Sequence, residues 1–369
     1  MRRSTAPPSR SAASPSPRRR PTRRPPPSPA CRSHPPAPAS PAPPGSSTTS
    51  ASAAADPRTE GDRVLDLDVV DAHHHLWDLS QPYPWLQEAA GRLQVHGDDT
   101  AIRRDYLLAD YLADAAPLRL VASVHVDAGA ADPVAEARWV QGLADESGFP
   151  QAIVAGAALH DDGVADRLAA LAELPNVRGV RHNLNWHPDP TLTYTDRPDL
   201  VDDPAWRRGF ARLARHGFSF DLQVYPDQLA DGARLAAAHP DTAVILDHAG
   251  MPLGRDLDAL RSWRKGLDLL AEQPNTSVKI SGLGMTDHRW SVGSLRPLVL
   301  EVIEAFGVDR AMFASNFPVD SLYSSFAELY EAFDTITADF STGERAALFA
   351  GTARRVYRID DVRPKGAAA

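Results

Sequence analysis

Cysteine is almost missing: Cys31 is the only one in 369 residues, and it sits in a Pro/Ser-rich stretch. An intramolecular disulfide framework and a Cys-ligated zinc site are therefore excluded. No run of 18 or more uninterrupted apolar residues occurs, so no membrane-spanning helix is expected. Positive charge is scarce outside the N-terminus. Residues 1–60 hold ten Arg and no Lys against only Asp56 and Glu60, so the remainder of a chain with net charge -9 is strongly acidic. An acidic body argues against a broad nucleic-acid surface, because phosphate binding needs clustered cations.

The same 60 residues contain 16 of the 33 prolines and almost nothing aliphatic beyond Ala. They cannot bury enough surface to offset the entropy of ordering, and they read as a disordered Pro/Ser/Arg-rich tail. The runs Arg18-Arg19-Arg20 and Arg23-Arg24 lack aromatic interleaving and the apolar stretch of a signal peptide. Residues 61–369 are long and apolar enough for one large core. A cytoplasmic enzyme acting on a small molecule, with no membrane or nucleic-acid partner for the folded part and with oligomerisation left open, fits this composition.

Eight β-rich apolar runs follow one another at 69–77, 120–127, 152–160, 177–185, 219–225, 243–250, 277–284 and 311–318. Helical periodicity lies between them, at 133–146, 203–215, 228–238, 257–271, 295–306 and 326–337. Near-continuous hydrophobicity suits strands buried on both faces, and strand-helix alternation implies parallel pairing with right-handed crossovers. Eight such units predict an α/β fold of the closed (β/α)₈ TIM-barrel kind. No G-x-G-x-x-G follows the first strand, which removes the best support for an open dinucleotide-binding sheet.

In such a barrel the chemistry lies where strands end and βα loops begin. The polar residues there are His73, His75, His125, His160, His182, Asn183, Gln223, His248, Lys279, Ser281 and Asn316. His73 and His75 are two apart, so on a strand they share a face with Cα atoms roughly 7 Å apart and can converge on one ion or one substrate group. His74 points the other way as a packed residue. The long loops 76–105 and 186–202 carry Trp77, Tyr83, Trp85, Trp186 and Tyr194, which suit the walls of a small-molecule pocket. His125 and His160 divide evenly between a site role and packing.

The stretch Val70-Asp71-Ala72-His73-His74-His75-Leu76-Trp77-Asp78, with Tyr83-Pro84-Trp85-Leu86 behind it, resembles the opening of the amidohydrolase superfamily branch that includes L-fuconolactonase and 2-pyrone-4,6-dicarboxylate lactonase. Further matches are Arg178-Gly179-Val180-Arg181-His182, Leu246-Asp247-His248-Ala249-Gly250, Val278-Lys279-Ile280-Ser281-Gly282 and Ala314-Ser315-Asn316-Phe317-Pro318. The resemblance spans about residues 65–360 and implies a barrel hydrolase that opens a lactone, with His73, His75 and His248 at its centre. It also implies one divalent metal, zinc or manganese, on those three histidines, or metal-free catalysis as in the pyrone branch. Trp77, Trp85, Arg181, His182 and Lys279 are then the substrate-binding candidates, Arg181 or Lys279 for a carboxylate or oxyanion. Sugar-derived lactones are favoured over a doubly charged pyrone, since Arg181 is the one obvious strand-end arginine. The alternatives are a metal-dependent decarboxylase or hydratase on the same fold, and a non-catalytic ligand-binding barrel.

One departure stands out. Much of this superfamily ends strand 8 with a proton-abstracting Asp, and here the position is Asn316, whose amide has no basic site. Asp320, four residues on, is one candidate for the base, with a helix cap as its structural reading, and a metal-free His248 or His75 is the other.

Overall fold

The chain's near-continuous aliphatic runs form eight short strands: β1 Asp68–His74, β2 Arg119–Val126, β3 Ala152–Gly156, β4 Val177–Arg181, β5 Ser219–Leu222, β6 Val244–Leu246, β7 Thr276–Ile280 and β8 Ala311–Phe313. They pair in chain order, each with the next and all parallel. The ring closes where the segment after β8 meets β1: the His75 N–H donates to the Phe317 carbonyl (2.7 Å) and the Asn316 N–H to that of His73 (2.8 Å). This is the closed (β/α)₈ barrel, in a computed structural model that describes residues 65–87 and 94–359. The proposed tail at 1–60 lies outside the described residues.

Helices cover the barrel, and their ends follow local chemistry. Asp132 accepts from the N–H groups of Val134 and Ala135 to start Pro133–Ser147, which Gly148 ends in the left-handed region (φ 81). Asp256 caps Leu257–Ala271 in the same manner. The helix expected over 203–215 is divided into Pro204–Phe210 and Leu213–His216, because the Arg212 N–H bonds the Gly209 carbonyl three residues back and tightens the turn.

Two apolar layers result. Helices and outward strand faces form the larger, around Trp206, Phe210, Phe220 and Leu267. A smaller one fills the barrel with Val70, Ala72, Val124, Val154, Ile245 and Met312, closed from below by Ala353 and Tyr357 of the C-terminal helical segment.

A bulge in β1 positions the site. Asp71 pairs with Ser123 and His74 with His125, so three steps on β1 match two on β2. Val70 and Ala72 therefore point into the barrel with Ile245, while Asp71 and His74 both reach Tyr111 outside it, by a hydrogen bond (3.0 Å) and by ring stacking (3.9 Å). The extra residue shifts the alternation, and His73 and His75 turn inward directly after Ala72.

The strands stop short of their expected ends because the chain bends over the mouth. β6 passes straight into a tight turn at Asp247–Gly250, with His248 and Ala249 at φ 54 and 53, and Asn316 after β8 has φ 58. Polar strand-end residues are thereby carried onto the rim.

Candidate active site

Three buried imidazoles meet at the mouth. Nε2 of His73 lies 3.3 Å from Nε2 of His75, and the His73 and His248 rings are 4.6 Å apart. The hydrogen bonds around them form a directed chain. His75 Nδ1 lies 2.7 Å from the Val126 carbonyl, which only accepts, so that nitrogen carries the proton and Nε2 the lone pair. His73 can then donate from Nε2 to His75 while its Nδ1 accepts from the Lys279 ammonium at 3.2 Å. His248 bonds Ser281 Oγ through Nδ1 (3.0 Å), which leaves Nε2 for the cavity. Gly282 makes that pose feasible, since a Cβ there would stand 2.6 Å from His248 Nδ1. Burial lowers the pKa of all three rings, that of His73 further through Lys279 and that of His75 through Arg181, and pushes His248 down to about 3. The cluster is neutral at pH 7.

Beneath it lies a buried charge cluster. Lys279 is fully buried and contacts Asp221 (2.5 Å) and Asp247 (3.0 Å), and Asp247 also lies 3.3 Å from His73 Nδ1. Tyr357 donates to Asp221 from the C-terminal segment (3.0 Å). Burial raises Asp221 to about 6 despite Lys279, whereas for Asp247 burial is outweighed by Lys279 and His73, which hold it well below the usual range. Lys279 was expected to face substrate or an oxyanion. It sits one layer lower, with its three protons spent on two carboxylates and one imidazole. Asp221 and Asp247 were missed, although Asp221 shares an inward face with Gln223 two residues on and Asp247 adjoins His248.

Above the cluster opens a cavity of about 700 Å³, lined by His75, His248, Arg181, Gln223, Asn316 and Trp85 together with loop residues such as Thr193 and Tyr194. Arg181 points inward, held by Gln223 Oε1 (3.0 Å) and by the backbone carbonyl of Asp127. Other expectations are displaced. Trp77 is fully buried, donates to the Arg104 carbonyl (2.6 Å) and braces His75 and Trp85 from behind, so it belongs to the core. His182 faces a neighbouring groove, because its Nδ1 accepts from Trp206 Nε1 (2.9 Å). His160 lies in that groove too, and His125 is packed outside against Glu136 (3.0 Å).

Asn316 lines the cavity at the strand-8 position, and its amide nitrogen carries two protons, one able to face the Asp320 carboxyl and the other the cavity. Asp320 is buried behind it, within hydrogen-bonding reach of its side chain, and Ser325 rather than Asp320 caps the following helix. Burial pushes Asp320 up to about 8. Asp320 lies off the cavity wall, so its contact with a bound substrate would run through Asn316. Because its folded pKa exceeds the unfolded value, the unfolded chain releases this proton first, and stability falls as pH rises from about 4 to 8. Asp320→Asn is thus expected to stabilise the fold more at pH 8 than at pH 5, by several kcal/mol at most given about 1.4 kcal/mol per pKa unit, and to raise Tm accordingly. It should also keep more than a tenth of the wild-type rate. Thermal melts at both pH values check the first, and a rate near zero would assign the base to Asp320.

The donors fit a divalent cation. Ligands 2.0–2.1 Å from a tetrahedral zinc are about 3.4 Å from each other, near the His73–His75 separation. Donor atoms of His73, Asp247 and His248 lie within 4.8 Å of one another. The tightest set among the described residues thus replaces His75 of the expected trio with Asp247, while His75 stays in reach through His73.

A family model described as amidohydrolase matches residues 70–359. An uncharacterized protein of Sinorhizobium fredii is 45% identical over 297 residues, 80% of this chain and 99% of that protein. An L-fucono-1,5-lactonase of Burkholderia multivorans is 32% identical over 311 residues, covering 79% and 96% of the two chains. A crystal structure of a Burkholderia multivorans amidohydrolase with bound zinc superposes with a TM-score of 0.66 at 29% identity, over 79% of this chain and 99% of that one.

Proposed function

Because the chain belongs to the amidohydrolase family, we propose that it opens a lactone, with a sugar-derived lactone as substrate. The observation that carries this reading is the meeting of His73, His75 and His248 under a cavity whose wall includes Arg181 and Asn316. Similarity to L-fucono-1,5-lactonases at 32% and 28% identity supports it.

The ring carbonyl oxygen accepts from the Arg181 guanidinium and the Asn316 amide, donors already fixed where negative charge develops. Water lies between the carbonyl carbon and His248. As its oxygen attacks, its proton passes to His248 Nε2, and the tetrahedral oxyanion rests against Arg181 and Asn316. Collapse breaks the acyl carbon–oxygen bond, and the same imidazole returns the proton to the leaving ring oxygen, giving the hydroxy acid. His73 and His75 hold the cavity floor neutral through the chain from Lys279. An ion on His73, Asp247 and His248 would act as a Lewis acid on the carbonyl and lower the pKa of bound water.

A panel of aldonolactones in a pH-indicator assay tests the reaction. Saturable acid release that disappears in His73→Ala is expected, and release no faster than the blank across the panel overturns the reading. Zinc or manganese is expected to raise Tm in wild type and not in His73→Ala or His248→Ala, since a ligand bound only to the folded state stabilises it. Equal shifts in all three proteins would remove the ion from this site.

A further inference from the structure

A second polar groove of about 420 Å³ opens beside the cavity, and Gly129, Arg181, Asn183, Tyr194 and Thr195 line both. Arg181 stands at the junction. His160, His182, Asp196 and Asp127 line the groove and not the cavity.

The chemistry of that lining is specific. His182 Nδ1 accepts from Trp206 Nε1 (2.9 Å) and faces the Leu159 N–H (3.3 Å), so the neutral ring carries its proton on Nε2, a fixed donor. The His160 ring lies parallel to His182, at 5.4 Å and 14°, with nearly half of its side chain exposed. Asn183 Oδ1 is buried and has no partner among the described residues. Asp127 accepts from the Gly129 N–H (3.1 Å) through one carboxyl oxygen, and its other oxygen is 3.5 Å from Arg181.

These groups discriminate between occupants. An anionic substituent would meet the carboxylates of Asp127 and Asp196. An alkyl or acyl chain would cover the His182 donor and the Asn183 acceptor without pairing them, at about 1–3 kcal/mol for each buried unmet group. A hydroxyl donates and accepts at once, so a neutral polyhydroxylated unit satisfies both kinds of partner.

We propose that this groove is a second subsite, and that the substrate is an aldonolactone bearing a glycosyl unit, the lactone ring lying over His248 and the appended sugar lying past Arg181 against His160, His182 and Asp196. The proposal rests on the lactone reading for its substrate class, while the groove's preference for a sugar can be measured without turnover.

The test compares cellobiono-, maltobiono- and lactobiono-lactones with glucono- and galactono-lactones on the full chain. At least one disaccharide lactone is expected to exceed its parent about tenfold in kcat/KM. His160→Ala and Asp196→Ala should remove that advantage through KM and leave the monosaccharide rates unchanged. In parallel, calorimetry with the ring-opened acids should show a disaccharide acid binding wild type at least fivefold more tightly than gluconate or galactonate, a preference lost in both variants. Turnover of both lactone sizes with equal efficiency, no binding preference and no effect of the variants would overturn the subsite and leave the lactonase. Preferential binding of a disaccharide acid that the variants abolish, with no lactone opened, would keep the subsite and overturn the lactonase.

Discussion

Lys279→Met should cost about 3–5 kcal/mol of stability, the usual consequence of removing one member of a buried ion cluster. Asp221 and Asp247 would remain inside the barrel with no ammonium between them, at positions with no access to water. For a chain of this size that is a fall in Tm on the order of 10 °C. The sign of its pH dependence follows from the carboxylates. Asp221 already has a raised folded pKa, about 6, and losing Lys279 raises it further and brings Asp247 up as well. Acids with raised folded pKa values withdraw stability as pH climbs through the interval between unfolded and folded values. The deficit of the variant should therefore be largest near pH 8 and shrink toward pH 5. Adding Asp221→Asn should recover part of it by removing one unpaired charge. Differential scanning calorimetry of the single and double variants at both pH values reads all of this, and an unchanged Tm for Lys279→Met would mean that the carboxylates do not depend on the lysine.

That lysine also marks where sequence reading stops. Its burial could be inferred from the apolar run around it, but its partner Asp221 is 58 residues away and only closure of the barrel brings the two together. The eight strands were legible because strands buried on both faces are apolar at nearly every position. Leu257–Ala271 was legible from its periodicity, and Asp256, whose side chain caps its first turn, fixes where it starts. Strand ends were not, since they depend on how each chain bends over the mouth. The i, i+2 spacing of His73 and His75 correctly put them on one face, yet which face was set by the bulge before them, a matter of pairing with β2. Trp77 shows the remaining ambiguity: an aromatic in a long loop reads equally as wall or core, and here it is core behind His75. Asn316 was legible as a departure, but the pairing that makes its amide useful, a mostly protonated Asp320 behind it, arises from burial.

His248→Gly should lower kcat by about 10²–10⁴, the range supplied by a positioned general acid-base group. Glycine is the informative replacement. The residue has φ 54, where L side chains are strained and glycine is not, so the turn at Asp247–Gly250 should persist and Tm should change little. Removing the ring empties a space beside Ser281 and Gly282 shaped for imidazole. Free imidazole added to the variant should therefore restore part of the rate in a saturable way, more at pH 8 than at pH 6 because its neutral form is the base. Asp320→Gly has no reason to respond to imidazole and serves as the control. If His248 only shaped the pocket, added imidazole would leave the rate where the substitution put it. If an ion held by this ring carried the reaction instead, imidazole would return activity only when zinc is added with it, since the variant lacks one of the ion's ligands. A rate for His248→Gly within tenfold of wild type would move the proton transfer to another group, and His75 and His96 are the other imidazoles on the cavity wall.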